Sequence, residues 1–597
     1  MSRPWLALVL VLFGLPLFLG LRSLDLETDE AIYSFAVDRI LEVGEWLQPK
    51  SSPDETAVFL EKPPLKFWLV AAPIRAHVLP HDEFGLRFVD AAFGATSFLY
   101  VFAIGCLLAG PVCGAVAVLL LFVHWPLLLD HGIRTNNMEA ALFLSHCGGF
   151  YHVLAWVRAS GSRRVWHAVA AGLLFVLGFM TKFVAVAFLP VVAGAALLLF
   201  RSTRARLAAD WRVSTAVAVL ALALIAPWFI YAQVQFGALL WETMLSVHVY
   251  TRFTTALNPA HVHPWNYYVV TMAREFAESG LAWLVPAGLV TLLIQSIRRR
   301  SFEGTVVLLW ATVPLALISL GASKLYHYAY PFLPPLAIAA GYLVALVWML
   351  APALVRKALA GAEDLVARFA PRVREAGARP ALGAIGTAVV WLGSLMLVGA
   401  LFFGQVYLHI GSTMLFKSSG MLRPLAAIVL ASVLAHRASR TAPLVVALTL
   451  LWWMPVDRYK DTIRQMLTER HPLRDVSQCI QRVEASLGGG TPPGLYVDTD
   501  SSMWHPIYYY FRRIRPWTRQ VEPSAQELDR RLRDPGAFGP SLVQEQRYRD
   551  YQRGGAVAGL AGGVTPPLIS LFEYELLLPG PYGVCSPEAP LRAAPGD

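Results

Sequence analysis

Along this chain, apolar runs alternate with short clusters of arginine and lysine from the N-terminus to about residue 457. A run of about eighteen or more apolar residues is long enough to cross the hydrocarbon core of a bilayer. Spans are predicted near 4–21, 87–108, 111–129, 137–157, 166–181, 183–200, 214–235, 281–297, 305–320, 328–350, 382–404, 421–436 and 441–457, about thirteen in all. The first, Pro4 to Leu21, has only Arg3 before it and no small-residue cleavage site after it, so it reads as a retained anchor. From Arg458 the pattern turns polar. Leu473 to Ala485 has helical spacing, Gly494 to Val497 reads as a short strand after a GGGTPPG turn, and Met503 to Phe511 is rich in aromatics. The expected fold class is a polytopic α-helical membrane protein, with a transmembrane domain over 1–457 and a small α/β extracytoplasmic domain over 458–597.

Charge supplies the orientation, since cytoplasmic loops hold the excess of lysine and arginine. With the N-terminus cytoplasmic, the predicted inner loops contain Arg158, Arg163 and Arg164, then Arg201, Arg204, Arg206 and Arg212, then Arg298, Arg299 and Arg300. Arg356, Lys357, Arg368, Arg372, Arg374 and Arg379 follow, and finally Arg437 and Arg440. An odd number of spans then places 458–597 on the outer side, periplasmic for an inner-membrane protein. Two outer loops are long, 22–86 and 236–280. In the first, Leu65 to Leu79 is largely apolar but short and broken by Pro73, which predicts a helix lying at the interface. The basic, amphipathic 351–380 segment is expected on the anionic cytoplasmic leaflet. Cys479 and Cys585 fall in the outer domain, where a disulfide is permitted but not dictated by spacing.

Composition agrees with the pattern. Of 597 residues, 56% are apolar and 15% charged, with a mean hydropathy of +0.52; soluble domains carry about 25% charged residues. The net charge of +10 does not point to nucleic acid, because the basic residues sit in short loops between spans. The five cysteines include no CxxC pair, and Cys106, Cys113 and Cys147 lie in spans as small packing residues.

Five cations break the orientation rule by falling on the predicted outer face: Lys62, Arg134, Lys182, Arg252 and Lys324. A cation there is costly to desolvate, so the group suggests a shared anionic ligand; snorkelling to headgroup phosphates is the plainer alternative. Carboxylates share the face: Asp29 and Glu30 in LDLETDEAIY, Glu61 in FLEKPPLKFW, and Glu139 in RTNNMEAAL. Glu30 reads best as a helix cap. A transferase with a phosphate leaving group needs a base for its acceptor and cations for the departing charge, and this set supplies both. His248, His261, His263 and His327 form a third group. A histidine with Glu61 suits a divalent metal, zinc or manganese or magnesium, although interfacial hydrogen bonding explains these histidines equally.

The strings TDEAIYSFAVDRILEVGEWLQP, FLEKPPLKFWL, FGLRFVDAAFG, RTNNMEAAL, GFMTK, APWF, HVHPWNYY and SKLYHYAYPFLPPLA resemble the bacterial aminoarabinose (4-amino-4-deoxy-L-arabinose) transferase and protein mannosyltransferase-like families, over most of residues 23–345. These are membrane glycosyltransferases of the GT-C fold, with thirteen spans and an outer C-terminal domain. The resemblance implies that Asp29 is catalytic, as base or as substrate-orienting group, with Tyr33 the aromatic of the DExxY string. It implies that Glu61 and Lys62 contact metal and donor phosphate, and that Glu139, a second catalytic carboxylate, stands where the family usually has Asp. His248 matches a metal histidine and Arg252 a phosphate-binding arginine, at a spacing one residue longer than in many relatives. Lys182, Lys324 and Tyr328 match donor-cavity positions, with His327 beside them. Relatives commonly have Arg at Ile32 and Tyr at Phe59, so a different sugar or acceptor is expected.

The expected function is an inner-membrane glycosyltransferase, hexosyl or pentosyl, moving a sugar from a polyprenyl-phosphate donor to a lipid A-like lipid, a glycolipid or a protein, with inversion if displacement is direct. Lys62, Arg252, Lys182 and Lys324 would hold the donor phosphate. The rival is a multi-span transporter or lipid flippase, for which inverted repeats and charges near the midplane are expected instead of a cluster at one face.

Overall fold

Among the described residues the long apolar runs are helical, because in hydrocarbon each backbone N–H and C=O must find its partner within its own segment. The structure, a computed structural model, describes residues 3–51, 58–255, 258–278, 283–369, 380–403, 406–410, 413–418, 427–428, 430–432, 458–486, 495–497, 504–512, 514, 517–519, 539–546, 548–549, 568–571, 574–578 and 580–585. Among these, six helices are long and apolar enough to span a membrane: Glu83–Ala109, Glu139–Arg158, Gly161–Leu199, Trp211–Phe236, Phe302–Leu320 and Tyr326–Leu350. Shorter apolar helices, Pro4–Phe18, Pro111–Phe122 and Gly383–Met396, fall on three further expected spans, and Leu284–Arg299 falls on another. The two spans expected at 166–181 and 183–200 are the helices Gly161–Lys182 and Phe188–Leu199, joined by the 3-10 turn Phe183–Ala187. The span expected at 441–457 and most of that at 421–436 lie outside the described residues. After the helix Pro380–Phe403 the chain forms an antiparallel hairpin, Val406–Ile410 with Thr413–Ser418.

The chain divides into two compact units, and the division does not follow a linear cut at residue 457. The first holds 1–19, 60–63 and 90–466; the second holds 20–59, 64–89 and 467–597. In the first unit the helix Glu139–Arg158 packs on Gly161–Lys182, and the long helix Leu333–Phe369 packs on Pro111–Phe122 and Leu284–Arg299. Small residues set these distances, as expected where helices meet without a hydrophobic driving force. A Cβ on Gly105 would lie 2.4 Å from the Cα of Gly114, and one on Gly341 would lie 2.3 Å from the carbonyl oxygen of Cys113. Cys113 is buried in that contact, the packing role expected of it.

In the second unit the first loop and the C-terminal region are one structure. The carboxylate of Asp25 accepts from the backbone N–H of Leu473 at 2.7 Å and so caps the helix Pro472–Ser486 from 448 residues away. The backbone N–H of Leu26 donates to the Tyr510 hydroxyl at 2.9 Å, on the helix Trp504–Phe511. A five-stranded sheet runs in the order Trp517–Arg519, Leu495–Val497, Ser541–Gln544, Tyr574–Leu577, Leu568–Leu571, its first two pairings parallel and its last two antiparallel. Cys479 and Cys585 form a disulfide between the helix Pro472–Ser486 and the turn Gly580–Cys585. The interfacial stretch expected at Leu65–Leu79 is the helix Leu65–Arg75, eleven residues with Pro73 inside it, too short to cross.

The helix Thr28–Val43 starts in a capping box, with Glu27 at the cap position and Glu30 returning its carboxylate to the Glu27 N–H at 3.0 Å. Glu30 is wholly buried and also takes both arms of Arg87, at 2.7 Å from Nε and 2.5 Å from Nη2. Arg87 spends its remaining donors on the carbonyls of Leu21, Leu24 and Asp25. A bidentate pair of this kind fixes geometry as well as energy. Breaking a buried pair by removing one partner costs about 3–5 kcal/mol, whereas replacing both by apolar groups costs far less. Arg87→Met alone is therefore expected to lower thermal stability in detergent sharply, and the double variant Glu30→Met with Arg87→Met to recover part of the loss.

Candidate functional site

The first unit encloses a cavity of about 300 Å3 whose wall is divided by chemistry. Lys62, Lys182, Arg252, Glu61, His248 and Tyr328 supply polar groups, while Leu142, Phe183, Phe188, Met244, Phe253, Ile318 and Phe332 are apolar. Six positions read from the sequence thus meet in one place, from segments as far apart as residues 61 and 328.

Each polar side chain is delivered by an identifiable piece of backbone. Glu61 and Lys62 come from the loop ahead of PPL, with Lys62 Nζ 3.9 Å from Glu61 Oε2. Lys182 ends the helix Gly161–Lys182, and Phe183 turns the chain with φ +50°, so both residues reach the cavity. His248 rides on a π-helix, Glu242–Thr251, and Arg252 follows directly on the short helix Arg252–Thr254. The segment bearing Arg252 is held to the SKL string by the backbone: Ser323 N–H donates to Arg252 C=O at 3.0 Å, and Ala322 N–H to Phe253 C=O at 2.8 Å. Tyr328 sits in the 3-10 turn Tyr326–Phe332, itself anchored where Trp310 Nε1 donates to Pro331 C=O at 2.9 Å.

Tyr328 links the cations. Arg252 Nη1 donates to its hydroxyl at 2.8 Å, and Lys182 Nζ lies 5.6 Å from its ring centre, within reach of the ring quadrupole. Lys182 also donates to Glu139 Oε1. His327 Nε2 lies 3.7 Å from the same oxygen, and its ring stacks on His131 at 4.7 Å. Glu139 is buried behind the lining as the partner of Lys182, a role its sequence position alone does not reveal. His131 belongs to the arrangement but was not singled out from the sequence; the only signal there is its neighbour Asp130, with a carboxylate 3.3 Å away.

Other expected members are engaged elsewhere. Lys324, expected at the donor phosphate, donates from its ammonium group to the carbonyls of His263 at 2.9 Å and Gly321 at 2.5 Å, and it is not among the lining residues. Arg134 donates to the carbonyls of Leu17 and Leu19 at the end of the first helical stretch, where last-turn carbonyls lack helical partners. Tyr33, expected at the substrate cavity, is buried with its ring 6.2 Å from Phe59 and 6.0 Å from Phe67. Asp29 is the second residue of the helix Thr28–Val43 and half-buried; the capping box is made by Glu27 and Glu30, so the helix does not require Asp29 as its cap. His263 stacks on Tyr267 at 4.2 Å.

Glu61 and His248 are the residues able to share a metal. Glu61 Oε1 and His248 Nε2 stand 3.4 Å apart, about the edge of a tetrahedron with bonds of about 2.1 Å. No group of three or more His, Cys, Asp or Glu suited to a metal occurs among the described residues.

Known proteins are similar to this chain in sequence and in fold. Residues 61–231 match the family model described as dolichyl-phosphate-mannose-protein mannosyltransferase. A relative named undecaprenyl phosphate-alpha-4-amino-4-deoxy-L-arabinose arabinosyl transferase 1, from Pseudomonas fluorescens, is 27% identical over 357 residues, 57% of this chain and 60% of the relative. The corresponding transferase of Pectobacterium carotovorum is 29% identical over 343 residues, 55% of this chain and 57% of the relative. The chain therefore spans about three-fifths of the length of the curated relatives it matches. The crystal structure of ArnT from Cupriavidus metallidurans bound to undecaprenyl phosphate superposes with a TM-score of 0.56 at 16% identity, covering 96% of this chain and 97% of that one. The fold is thus the GT-C helical fold, and the chain resembles the aminoarabinose transferases.

Burial acts to raise the Glu61 pKa, but the His248 hydrogen bond and the charges of Lys62, His248 and Arg252 outweigh it, and the carboxyl ends below its ordinary value. A carboxyl depressed in the folded state contributes stability that is present above its unfolded pKa and lost as pH falls through the folded one. Unfolding temperature measured across the acid range is expected to fall through that window, and Glu61→Gln to flatten the acid limb by lowering the neutral plateau towards the acid value.

Proposed function

We propose that this chain, resembling the aminoarabinose transferases in sequence and fold, is an inner-membrane glycosyltransferase that moves a sugar from a polyprenyl-phosphate donor to a lipid A-like, glycolipid or protein acceptor on the periplasmic face. One observation carries the reading: three cations and one carboxylate, with His248 and Tyr328 beside them, line a cavity whose remaining wall is largely apolar. That pairing of surfaces suits an anionic phosphate attached to a long hydrocarbon, and suits neither half alone. The basic loops between spans support the orientation, as does the disulfide Cys479–Cys585 in the C-terminal region, a bond that persists in oxidising compartments.

The chemistry follows from the charge that develops. An acceptor oxygen or nitrogen forms a bond to the anomeric carbon as the bond from that carbon to the phosphate oxygen breaks, and the departing polyprenyl phosphate gains negative charge. Lys62, Lys182 and Arg252 are placed to hold that charge, which is where fixed cations lower a barrier most. Tyr328 and Glu139 keep Arg252 and Lys182 in position. Asp29, assigned on the resemblance, takes the proton of the acceptor or aligns it, and direct displacement inverts the anomeric carbon. Glu61 and His248 would hold a divalent ion, which when bound supplies further positive charge to the phosphate.

Membranes incubated with radiolabelled polyprenyl-phosphate sugars test the reading. Lys62→Ala is expected to lose about 100-fold or more in transfer, and Lys62→Arg less, since charge is the first requirement and ammonium geometry the second. Asp29→Asn should abolish transfer and leave donor binding largely intact; normal turnover by a folded Asp29→Asn protein would remove it from the chemistry. Metal content measured on the purified protein with donor present should fall on EDTA treatment and in Glu61→Gln, and metal content unaffected by Glu61→Gln would place no ion there.

A further inference from the structure

The second unit holds its own cavity, of about 200 Å3, lined by His81, Asp82, Glu83, Tyr509 and Tyr510 and by one face of the helix Pro472–Ser486. On that helix the lining residues are Arg474, Ser477, Gln478 and Gln481, at i, i+3, i+4 and i+7, the spacing of a single stripe. Leu473, Val476 and Ile480 are buried on the same helix and provide its packing. A polar stripe facing two tyrosines is a different surface from the one that holds the helix in place.

Most of the charged lining is already fixed. Arg474 Nη1 lies 3.3 Å from Glu83 Oε2, and the Tyr510 hydroxyl donates to Glu83 Oε1 at 3.0 Å. Asp82 accepts from Gly85 N–H at 3.1 Å and pairs with Arg22. His81 Nε2 lies 2.6 Å from Asp38 Oδ1. The Tyr509 ring is held 5.5 Å from Phe35 and 5.1 Å from the Arg512 guanidinium. Against this rigid frame, the side-chain amides of Gln478 and Gln481 make no hydrogen bond among the described residues; Gln478 is exposed and Gln481 half-buried. Each amide offers both a carbonyl acceptor and two N–H donors.

Two amides able to donate and accept, fixed carboxylate and guanidinium groups, and an aromatic ring match a ligand with several hydroxyls around an apolar ring face. Two carboxylates against one guanidinium disfavour an anion. The volume is below the range of about 300–1,000 Å3 usual for drug-sized ligands, which limits the fit to one ring. We propose that this cavity is a carbohydrate-binding site for a single neutral or amine-bearing sugar ring, read by Gln478 and Gln481 beside the Tyr509 ring. Its lining shares no residue with the cavity of Lys62 and Lys182, and binding there does not depend on the transfer reaction proposed above.

The test is saturation-transfer NMR on the full chain in a detergent without a sugar headgroup, with glucosamine, glucose and glucuronate as probes. Glucosamine and glucose are expected to receive saturation and glucuronate to bind more weakly. The double variant Gln478→Ala with Gln481→Ala should weaken glucosamine about tenfold, the loss expected for two hydrogen bonds, and Lys62→Ala should leave it unchanged. Gln481→Glu, which adds a carboxylate without removing bulk, should raise the preference for glucosamine over glucose. Absence of saturation with all three sugars, glucuronate binding as well as glucosamine, or glucosamine binding indifferent to the glutamines would each overturn the proposal. Binding abolished by Lys62→Ala would also overturn it, by assigning the sugar to the other cavity.

Discussion

A positive charge taken out of water must be met by an anion or by carbonyl oxygens, because an unpaired buried ion costs several kcal/mol. The cations of this chain meet that constraint in different ways, and the differences separate scaffold from site. Arg87 is matched to Glu30 in a buried pair. Arg134 and Lys324 are spent on main-chain carbonyls. Lys182 is held by Glu139 but still reaches the cavity wall. Lys62 and Arg252 share that wall with a single carboxylate, Glu61, so the cavity keeps an excess of positive charge beside a largely apolar surface. An amphiphilic anion, the class of donor proposed here, would relieve both conditions together.

Hydropathy made the spans legible, since about eighteen apolar residues in a row leave a chain few alternatives to a helix. Charge made the site legible in part: Lys62, Lys182 and Arg252 stood out because they break the distribution of lysine and arginine around the membrane. The same signal marked Lys324 and Arg134 equally. What distinguishes them is the direction of nearby carbonyls, His263 and Gly321 for one and Leu17 and Leu19 for the other. Carbonyl direction is a property of the folded backbone and leaves no trace in residue type. Glu30 was readable as a cap from its place at the helix start, but its partner Arg87 lies 57 residues on. Long-range pairing likewise hid the Asp25 cap on the helix at Leu473, and with it the joining of the first loop to the C-terminal region in one unit. Cys479 and Cys585, 106 residues apart, were a permitted pair whose distance only the fold could supply.

The segment carrying His248 and Arg252 shows how the type of helix decides which side chains share a wall. On an α-helix each residue turns the side chain by about 100° relative to the one before it. Here the ten residues Glu242–Thr251 are π-helical, with hydrogen bonds to the fifth residue in place of the fourth, so each turn takes up more residues. Side chains four to five apart then share a face, and the lining bears this out with Met244, His248, Val249, Arg252 and Phe253. Arg252 thereby keeps its bond to the Tyr328 hydroxyl, and His248 its approach to Glu61. The backbone bonds from Ala322 and Ser323 to Phe253 and Arg252 fix the far end of the segment, so the cation is held from both sides, by the π-helix before it and the SKL string beside it, where the phosphate is proposed to sit.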